Sequence, residues 1–174
     1  MAEITVTRRT PGMVLLRGDL SSDALREAAS AVAGAPMPER RQASLSGDTG
    51  ILWMSPDEAL ILLPEGRAAE AARALSQRLE GVHHLALDLS DARAVFEIEG
   101  PWLREVLAKL SPADLHPEAL PLLEVRRTRL AQVPAAFWIE AEGRARLICF
   151  RSVADYVEGL LRRSVEDGPV GLFA

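Results

Sequence analysis

The clearest signal in the chain is a change of hydrophobic period. Ala94, Phe96 and Ile98 alternate with Val95, Glu97 and Glu99, which predicts a half-buried strand. Gly100 interrupts it, and Pro101 suits a first helical turn, where its missing N–H has no intrahelical partner to lose. Leu103, Val106, Leu107 and Leu110 then recur at helical spacing. Pro112 ends that helix, because it has no N–H to give and drives Ser111 out of the α region. Just upstream, Leu87 and Leu89 close another strand that Asp88 and Ser90 terminate.

The same succession occurs earlier. Ile4 and Val6 alternate with Thr5 and Thr7 in a short strand, Pro11-Gly12 turns it, and 13–17 form a second strand that Gly18 breaks. Ser21, Ser22 and Asp23 supply N-cap chemistry for a helix with Leu25, Ala28, Ala29 and Val32 on one face, closed by Gly34 and Pro36. Residues 36–47 read as a loop with a short edge strand at 43–45. Two apolar runs, 51–54 and 59–63, flank Ser55-Pro56-Asp57-Glu58 as a hairpin, and a helix with Ala68, Ala71, Ala72, Leu75 and Leu79 on one face follows as far as Gly81.

Beyond Leu115 the pattern predicts a strand at 125–130 and a hairpin of 135–140 and 144–150 about Glu142-Gly143. Ser152 opens the last helix, with Asp155 placed for a capping-box-like pair and Val153, Tyr156, Val157, Leu160 and Leu161 as its buried stripe. Val170 and Leu172 suggest a further short strand in the tail.

Two halves therefore match, about 1–89 and 90–174: strand, Gly18 or Gly100, helix, a hairpin with Trp53 or Trp138 in its first strand, and helix. This predicts a duplicated α+β domain over 1–174 with pseudo-twofold symmetry and mainly antiparallel sheets, rather than a solenoid. Neither half has the long apolar strands of a parallel βαβ sheet.

Composition narrows the function. The 174 residues carry 25 acidic and 20 basic side chains, a net charge of −5, mixed along the chain, which argues against a nucleic-acid partner. The single cysteine, Cys149, permits no intramolecular disulfide and sits in an apolar strand pattern, so a reduced cytoplasm is the expected location. The amino terminus has no apolar core of signal-peptide length, and no run approaches the ~20 apolar residues that span a bilayer. Lys109 is the only lysine among the basic residues, and arginine's planar fork favours fixed pairing with carboxylates.

Catalytic equipment is sparse. There is no G-x-G-x-x-G and no P-loop, so neither a dinucleotide nor a nucleotide has its usual cradle. His83 and His84 are adjacent on a strand and point to opposite faces, so they cannot share a metal ion. Cys149 reads as a core residue, and His116, two residues after Asp114, as part of a solvated turn or an acid-base pair. Asp88, Ser90, Asp91 and Arg93 either cap backbone groups and pair with a carboxylate or face a ligand. Arg126, Arg127, Arg129, Arg144, Arg146 and Arg151 either pair across strands with Glu124, Glu140 or Glu142 on a solvated face or form an interface with an acidic partner chain.

The run DLSDARAVFEIEGPWLREVLAKLSPADLHPEALP, then RRTRLAQVPAAFWIE and ICFRSVADYVEGLL, with LLRGDL and LWMSPDEALILLP upstream, resembles the gamma subunit of heterotetrameric sarcosine oxidase over nearly the whole chain. That family is similar in fold to the folate-binding domain of the glycine-cleavage T protein. The resemblance implies a non-flavin accessory subunit of a complex that oxidatively demethylates sarcosine to glycine. FAD, FMN, NAD and tetrahydrofolate would be held by other subunits, and alpha, beta and delta chains would be the partners. The alternative is a free-standing folate-binding or aminomethyltransferase-like protein. The family's D-x-S-x-x-R falls on Asp88, Ser90 and Arg93, its G-P on Gly100 and Pro101, its D-L on Asp114 and Leu115, and its R-S on Arg151 and Ser152. With Arg127 and Arg129, the polar residues of these motifs are the expected interface or junction residues; no catalytic or metal-binding residue is expected. The sequence departs from the family at Lys109-Leu110-Ser111, where many members read K-G-C, and at Pro121-Leu122-Leu123, which replaces a P-P-G turn.

Overall fold

A computed structural model describes residues 4–173. The chain forms two compact units, one of Thr10–Asp91 and one of Met1–Arg9 with Ala92–Ala174. Each is a five-stranded sheet whose assigned pairings are all antiparallel.

The unit of Thr10–Asp91 contains β2 (Gly12–Gly18), α1 (Asp23–Ala33), β3 (Ala43–Ser46), β4 (Thr49–Ser55), β5 (Glu58–Leu63), α2 (Ala68–Arg78) and β6 (His84–Asp88), with strand order β3-β4-β5-β2-β6. The other unit takes β1 (Thr5–Arg9), then β7 (Arg93–Glu99), α3 (Leu103–Ala108), β8 (Arg126–Leu130), β9 (Val133–Ala141), β10 (Arg144–Phe150), a 3₁₀ turn at Arg151–Val153 and α4 (Ala154–Glu166); its order is β8-β9-β10-β7-β1. The two orders correspond strand for strand. β1 fills, beside β7, the edge position that β6 fills beside β2.

Pro11-Gly12 is therefore not a hairpin turn. β1 pairs with β7, Val6 opposite Ile98, while β2 pairs with β5 and β6, so the chain passes from one sheet to the other at this point. The two glycines do match. Gly18 (φ 154) ends β2 and donates its N–H to the Asp57 carbonyl in the β4–β5 turn at 3.1 Å, and Gly100 (φ 141) ends β7 and donates to Gly143 in the β9–β10 turn at 2.8 Å.

The cores match as well. Val14, Leu16, Ile51, Ala59, Ile61 and Leu63 pack under α1 and α2 residues such as Leu25, Ala29 and Leu75. Phe96, Ile98, Phe137, Ala145, Leu147 and Cys149 play the same part against Leu103, Leu107, Val157 and Leu161. Across the hairpins Ile51 pairs with Ile61 and Trp53 with Ala59, as Phe137 pairs with Leu147 and Ile139 with Ala145. Trp53 therefore corresponds to Ile139. Trp138, opposite Arg146, is one residue out of step and lies on the other face of its strand.

Other local expectations shift. β7 is buried on both faces, with Val95 at 1% and Glu97 at 4% exposure, rather than half-buried. The buried stripe of α4 is Ala154, Val157, Leu161 and Ser164, and Tyr156 is exposed. Ser152 makes no cap, because Asp155 pairs instead with Arg8 at 2.9 Å. The tail adds no strand; the Glu105 carboxylate takes the N–H groups of Val170 and Gly171, which a ladder would have used. Leu123, at the glycine position of the P-P-G turn, adopts φ 63 and donates its N–H to Ile139 at 2.8 Å.

Candidate functional site

The motif residues fall into separate local structures. At the end of β6, Asp88 Oδ1 accepts from the Ser90 N–H at 2.9 Å and from Ser90 Oγ at 2.6 Å, and Ser90 Oγ accepts from the Met13 N–H at 3.0 Å. The pair thus closes the ladder with β2. This is the capping role. Arg93, the first residue of β7, lies over the Phe150 ring, 4.1 Å from its centroid. Asp114 Oδ1 accepts from the His116 N–H at 2.9 Å, and His116 Nδ1 in turn accepts from the Glu118 N–H at 3.3 Å, a chain of side-chain-to-backbone turns with no acid-base geometry. Arg151 and Ser152 are exposed in the 3₁₀ turn, where the Arg151 N–H donates to Ala92 at 3.0 Å.

Arg127 and Arg129 are both exposed on β8, the edge strand of their sheet. Arg126, Thr128 and Leu130 point the other way, and Leu130 is in the core. Opposite Arg127 and Arg129 on β9 stand Ala136 and Pro134, neither of which offers a carboxylate.

A larger polar assembly lies on the face that carries Trp138, and only part of it was foreseen. Glu97 is held by Arg9 at 2.9 Å and Arg144 at 3.3 Å, with the guanidinium of Arg146 at 3.8 Å. Glu140 takes Arg146 at 3.0 Å, Arg144 at 3.4 Å and the Trp138 indole N–H at 3.2 Å. Burial alone would raise the Glu97 pKa, but the hydrogen bonds and charges of Arg9 and Arg144 outweigh it and hold the carboxyl below its usual range. The expected pairing of Arg144 and Arg146 with Glu140 is present. The solvated setting holds for Arg144, 42% exposed, but not for Arg146, which is buried along with Glu97. Glu97 was missed because it occupies an outward position in an alternating pattern; its signal is a glutamate between Phe96 and Ile98 on a strand that a second arginine-rich strand must pair with.

Three further charged residues, Arg104 and Glu105 buried and Lys109 half-buried, organise the loops around α3. Arg104 donates to the carbonyls of Leu115 and Leu120, each at 2.9 Å, which fixes the loop after the helix. Lys109 donates to Gly168 at 2.9 Å, Glu105 holds the tail, and Ser164 Oγ donates to Val106 at 3.0 Å.

No group of three or more His, Cys, Asp and Glu side chains is placed to hold a metal ion among the described residues. A cleft of about 620 Å³ is lined by Arg17, Asp19, Asp57, His83 and His84. Its carboxylates are already engaged: Asp57 accepts from Ser55 at 2.6 Å and Arg17 at 2.5 Å, which together depress its pKa, and Asp19 accepts from Ser21 at 2.6 Å, which depresses its own. Burial pushes the Cys149 thiol up to about 11, the behaviour of a core residue rather than a nucleophile. No helix is long and apolar enough to cross a membrane among the described residues.

The chain matches the model of the Sarcosine oxidase, gamma subunit family over residues 17–166. A sarcosine oxidase subunit gamma of Arthrobacter sp is 37% identical over 115 residues, covering 66% of this chain and 56% of that protein. The chain spans about half the length of the curated relatives it matches. Among solved structures, heterotetrameric sarcosine oxidase from Corynebacterium sp. U-96, in complex with pyrrole 2-carboxylate, superposes with a TM-score of 0.85 at 26% identity, over 98% of this chain and 88% of that one. Glycine cleavage system aminomethyltransferase T from Bartonella henselae superposes with a TM-score of 0.68 at 15% identity, over 92% of this chain and 45% of that one, a likeness of fold alone.

Proposed function

Because the chain belongs to the sarcosine oxidase gamma-subunit family, we propose that it is an accessory subunit of a cytoplasmic sarcosine oxidase that converts sarcosine to glycine by oxidative demethylation, with tetrahydrofolate as the one-carbon acceptor. Its partners are the alpha, beta and delta chains. FAD, FMN, NAD and tetrahydrofolate reside in those chains, and this one contributes no catalytic group. The observation that carries the reading is the match to a chain of a heterotetrameric sarcosine oxidase over nearly the full length of both.

The chemistry of the chain supports a bracing role. Its buried and half-buried charges are spent inside the fold: Glu97 and Glu140 on the arginines of neighbouring strands, Arg104 on carbonyls, Glu105 and Lys109 on the tail. Such a network fixes the sheet and its loops but offers no group poised against a substrate. Arg127 and Arg129, exposed on an edge strand, are then the surface for a partner's carboxylates, which arginine binds through its bidentate fork.

The test is co-expression with alpha, beta and delta chains and purification through a tag on this chain. A stoichiometric complex that is yellow and oxidises sarcosine is expected, together with a colourless chain when it is expressed alone. Recovery of the tagged chain without the others, or flavin bound stoichiometrically by the chain alone, overturns the reading.

A further inference from the structure

The four edge strands of the two sheets are not equally protected. Natural sheets keep their edges from adding a strand by charge, proline or shortness. β1 carries Arg8 and Arg9, β8 carries Arg126, Arg127 and Arg129, and β3 has only 4 residues. β6 has no lysine, arginine or proline, and it exposes Leu85 at 47% and Leu87 at 46%.

The ladder with β2 fixes which backbone groups of β6 face outward. The Leu89 N–H donates to the Met13 carbonyl at 2.8 Å, so by the alternation of an antiparallel ladder Leu87 and Leu85 are the residues bonded to Leu15 and Arg17. His84, Ala86 and Asp88 stand at the non-bonded positions, opposite Gly18, Leu16 and Val14, and their own N–H and C=O groups point away from β2. Among the described residues none of these outward groups has a backbone partner.

The five residues His84-Leu85-Ala86-Leu87-Asp88 are complementary to themselves read backwards. We propose that β6 is a self-association edge, to which a second copy of this chain adds its own β6 antiparallel, with Ala86 opposite Ala86 on a twofold axis. In that register the outward groups of His84, Ala86 and Asp88 all find partners, and Leu85 meets Leu87 at the non-bonded positions, where side chains approach most closely. His84 faces Asp88, a basic ring against a carboxylate. Both ends are prepared for it: His84 Nδ1 is turned to the Val82 carbonyl at 2.8 Å, which leaves Nε2, and Asp88 gives Oδ1 to Ser90, which leaves Oδ2. A slip of one residue sets outward groups against inward ones and separates the leucines. The contact is isologous and uses up the edge, so it closes at a dimer rather than growing into a fibre. This association goes beyond assembly with the larger subunits, since it needs only the chain itself.

Sedimentation velocity on the full chain over a range of concentrations tests it. The wild type is expected to pass from monomer to dimer as concentration rises. Leu85→Lys sets an ammonium against Leu87 of the other copy and lowers the association constant at least tenfold, whereas the Leu85→Lys, Leu87→Glu double variant restores dimer, because only this register brings positions 85 and 87 together across the axis. Circular dichroism melts establish that each variant is folded; both changes are at exposed positions. A wild type that stays monomeric, an L85K chain that still dimerises, or a double variant that does not recover overturns the proposal. A monomeric wild type in which L85K weakens binding to the larger subunits assigns the edge to a partner's strand and likewise overturns self-pairing.

Discussion

Glu97 on β7 and Arg146 on β10 stand directly opposite each other in the ladder, their side chains 4% and 7% exposed, with the charged groups 3.8 Å apart. Two more arginines, Arg9 and Arg144, complete the shell of the carboxylate. Taking out the acid strands several guanidinium groups at once. Glu97→Gln is expected to destabilise the chain by about 3 kcal/mol, the low end for breaking a buried pair, because Arg9 and Arg144 are 54% and 42% exposed and regain water. The sign of the pH effect follows from the depressed pKa. The folded carboxyl holds its proton less tightly than the unfolded one, so the stabilisation is present above the unfolded value of about 4.3 and is lost as pH falls through the folded value. Urea titrations from neutral pH down into the acid range are expected to show a limb that flattens in E97Q; an unchanged limb would show that other carboxylates set it.

The junction after β6 separates two hydrogen bonds that share one hydroxyl. Ser90→Ala leaves the N–H of Met13, a residue 1% exposed, without its acceptor, an expected loss of about 1–3 kcal/mol. Asp88→Ala removes only the acceptor that orients Ser90 in an exposed turn, an expected loss of about 1 kcal/mol or less. Thermal melts should rank S90A below D88A below wild type, and the reverse ranking would mean that the Asp88 carboxylate, not the hydroxyl, sustains the ladder.

Leu123 sits at φ 63, a conformation that disfavours a side chain with a Cβ by about 1–2 kcal/mol. Glycine relieves that strain but loses chain entropy on folding and the contacts of a half-buried leucine. The balance is expected to favour Leu123→Gly by up to about 1 kcal/mol, read as a raised melting temperature. A fall in melting temperature would show that the leucine side chain contributes more than its backbone strain removes.

Much of the architecture was legible because period and punctuation agree. The runs around Ser55-Pro56-Asp57-Glu58 and Glu142-Gly143 became the hairpins β4–β5 and β9–β10, and Gly18 and Gly100 end equivalent strands. What failed was whatever depends on pairing between distant segments. Ile4 to Thr7 reads as a strand, but nothing in it names β7 as partner rather than β2. Trp53 and Trp138 attract the eye as a repeat, yet the pairs Ile51–Ile61 and Phe137–Leu147 set the register, and they align Trp53 with Ile139. The buried charges were illegible for the same reason. A glutamate is polar in any pattern, and only the arginines that β1 and β10 bring to Glu97 let it be buried. The capping reading of Asp88 and the turn reading of Asp114 and His116 were legible because each carboxylate's partner lies two residues away, whereas the bond from Met13 to the Ser90 hydroxyl spans 77 residues.

The exposed pair on β8 carries the last prediction. Arg127 and Arg129 alternate with the core-facing Thr128 and Leu130, so they share one face of an edge strand, and neither neighbour across the β8–β9 ladder, Ala136 or Pro134, carries charge. If their use is internal, reversing them removes at most the ~0.2–1 kcal/mol of an exposed ion pair each and leaves assembly untouched. If they meet carboxylates of a larger subunit, Arg127→Glu with Arg129→Glu turns attraction into like-charge repulsion, which acts on association rather than on the fold. The expected result is an isolated chain that stays folded, losing no more than the ~0.2–1 kcal/mol of an exposed ion pair per arginine, and at least a tenfold loss of affinity for the co-expressed alpha chain. The wild-type complex should itself weaken as salt rises, since charges at the rim of an interface are screened over a Debye length of about 8 Å at physiological ionic strength. Co-elution of the double variant with the alpha chain at moderate salt, undiminished from wild type, would return both arginines to the ordinary surface.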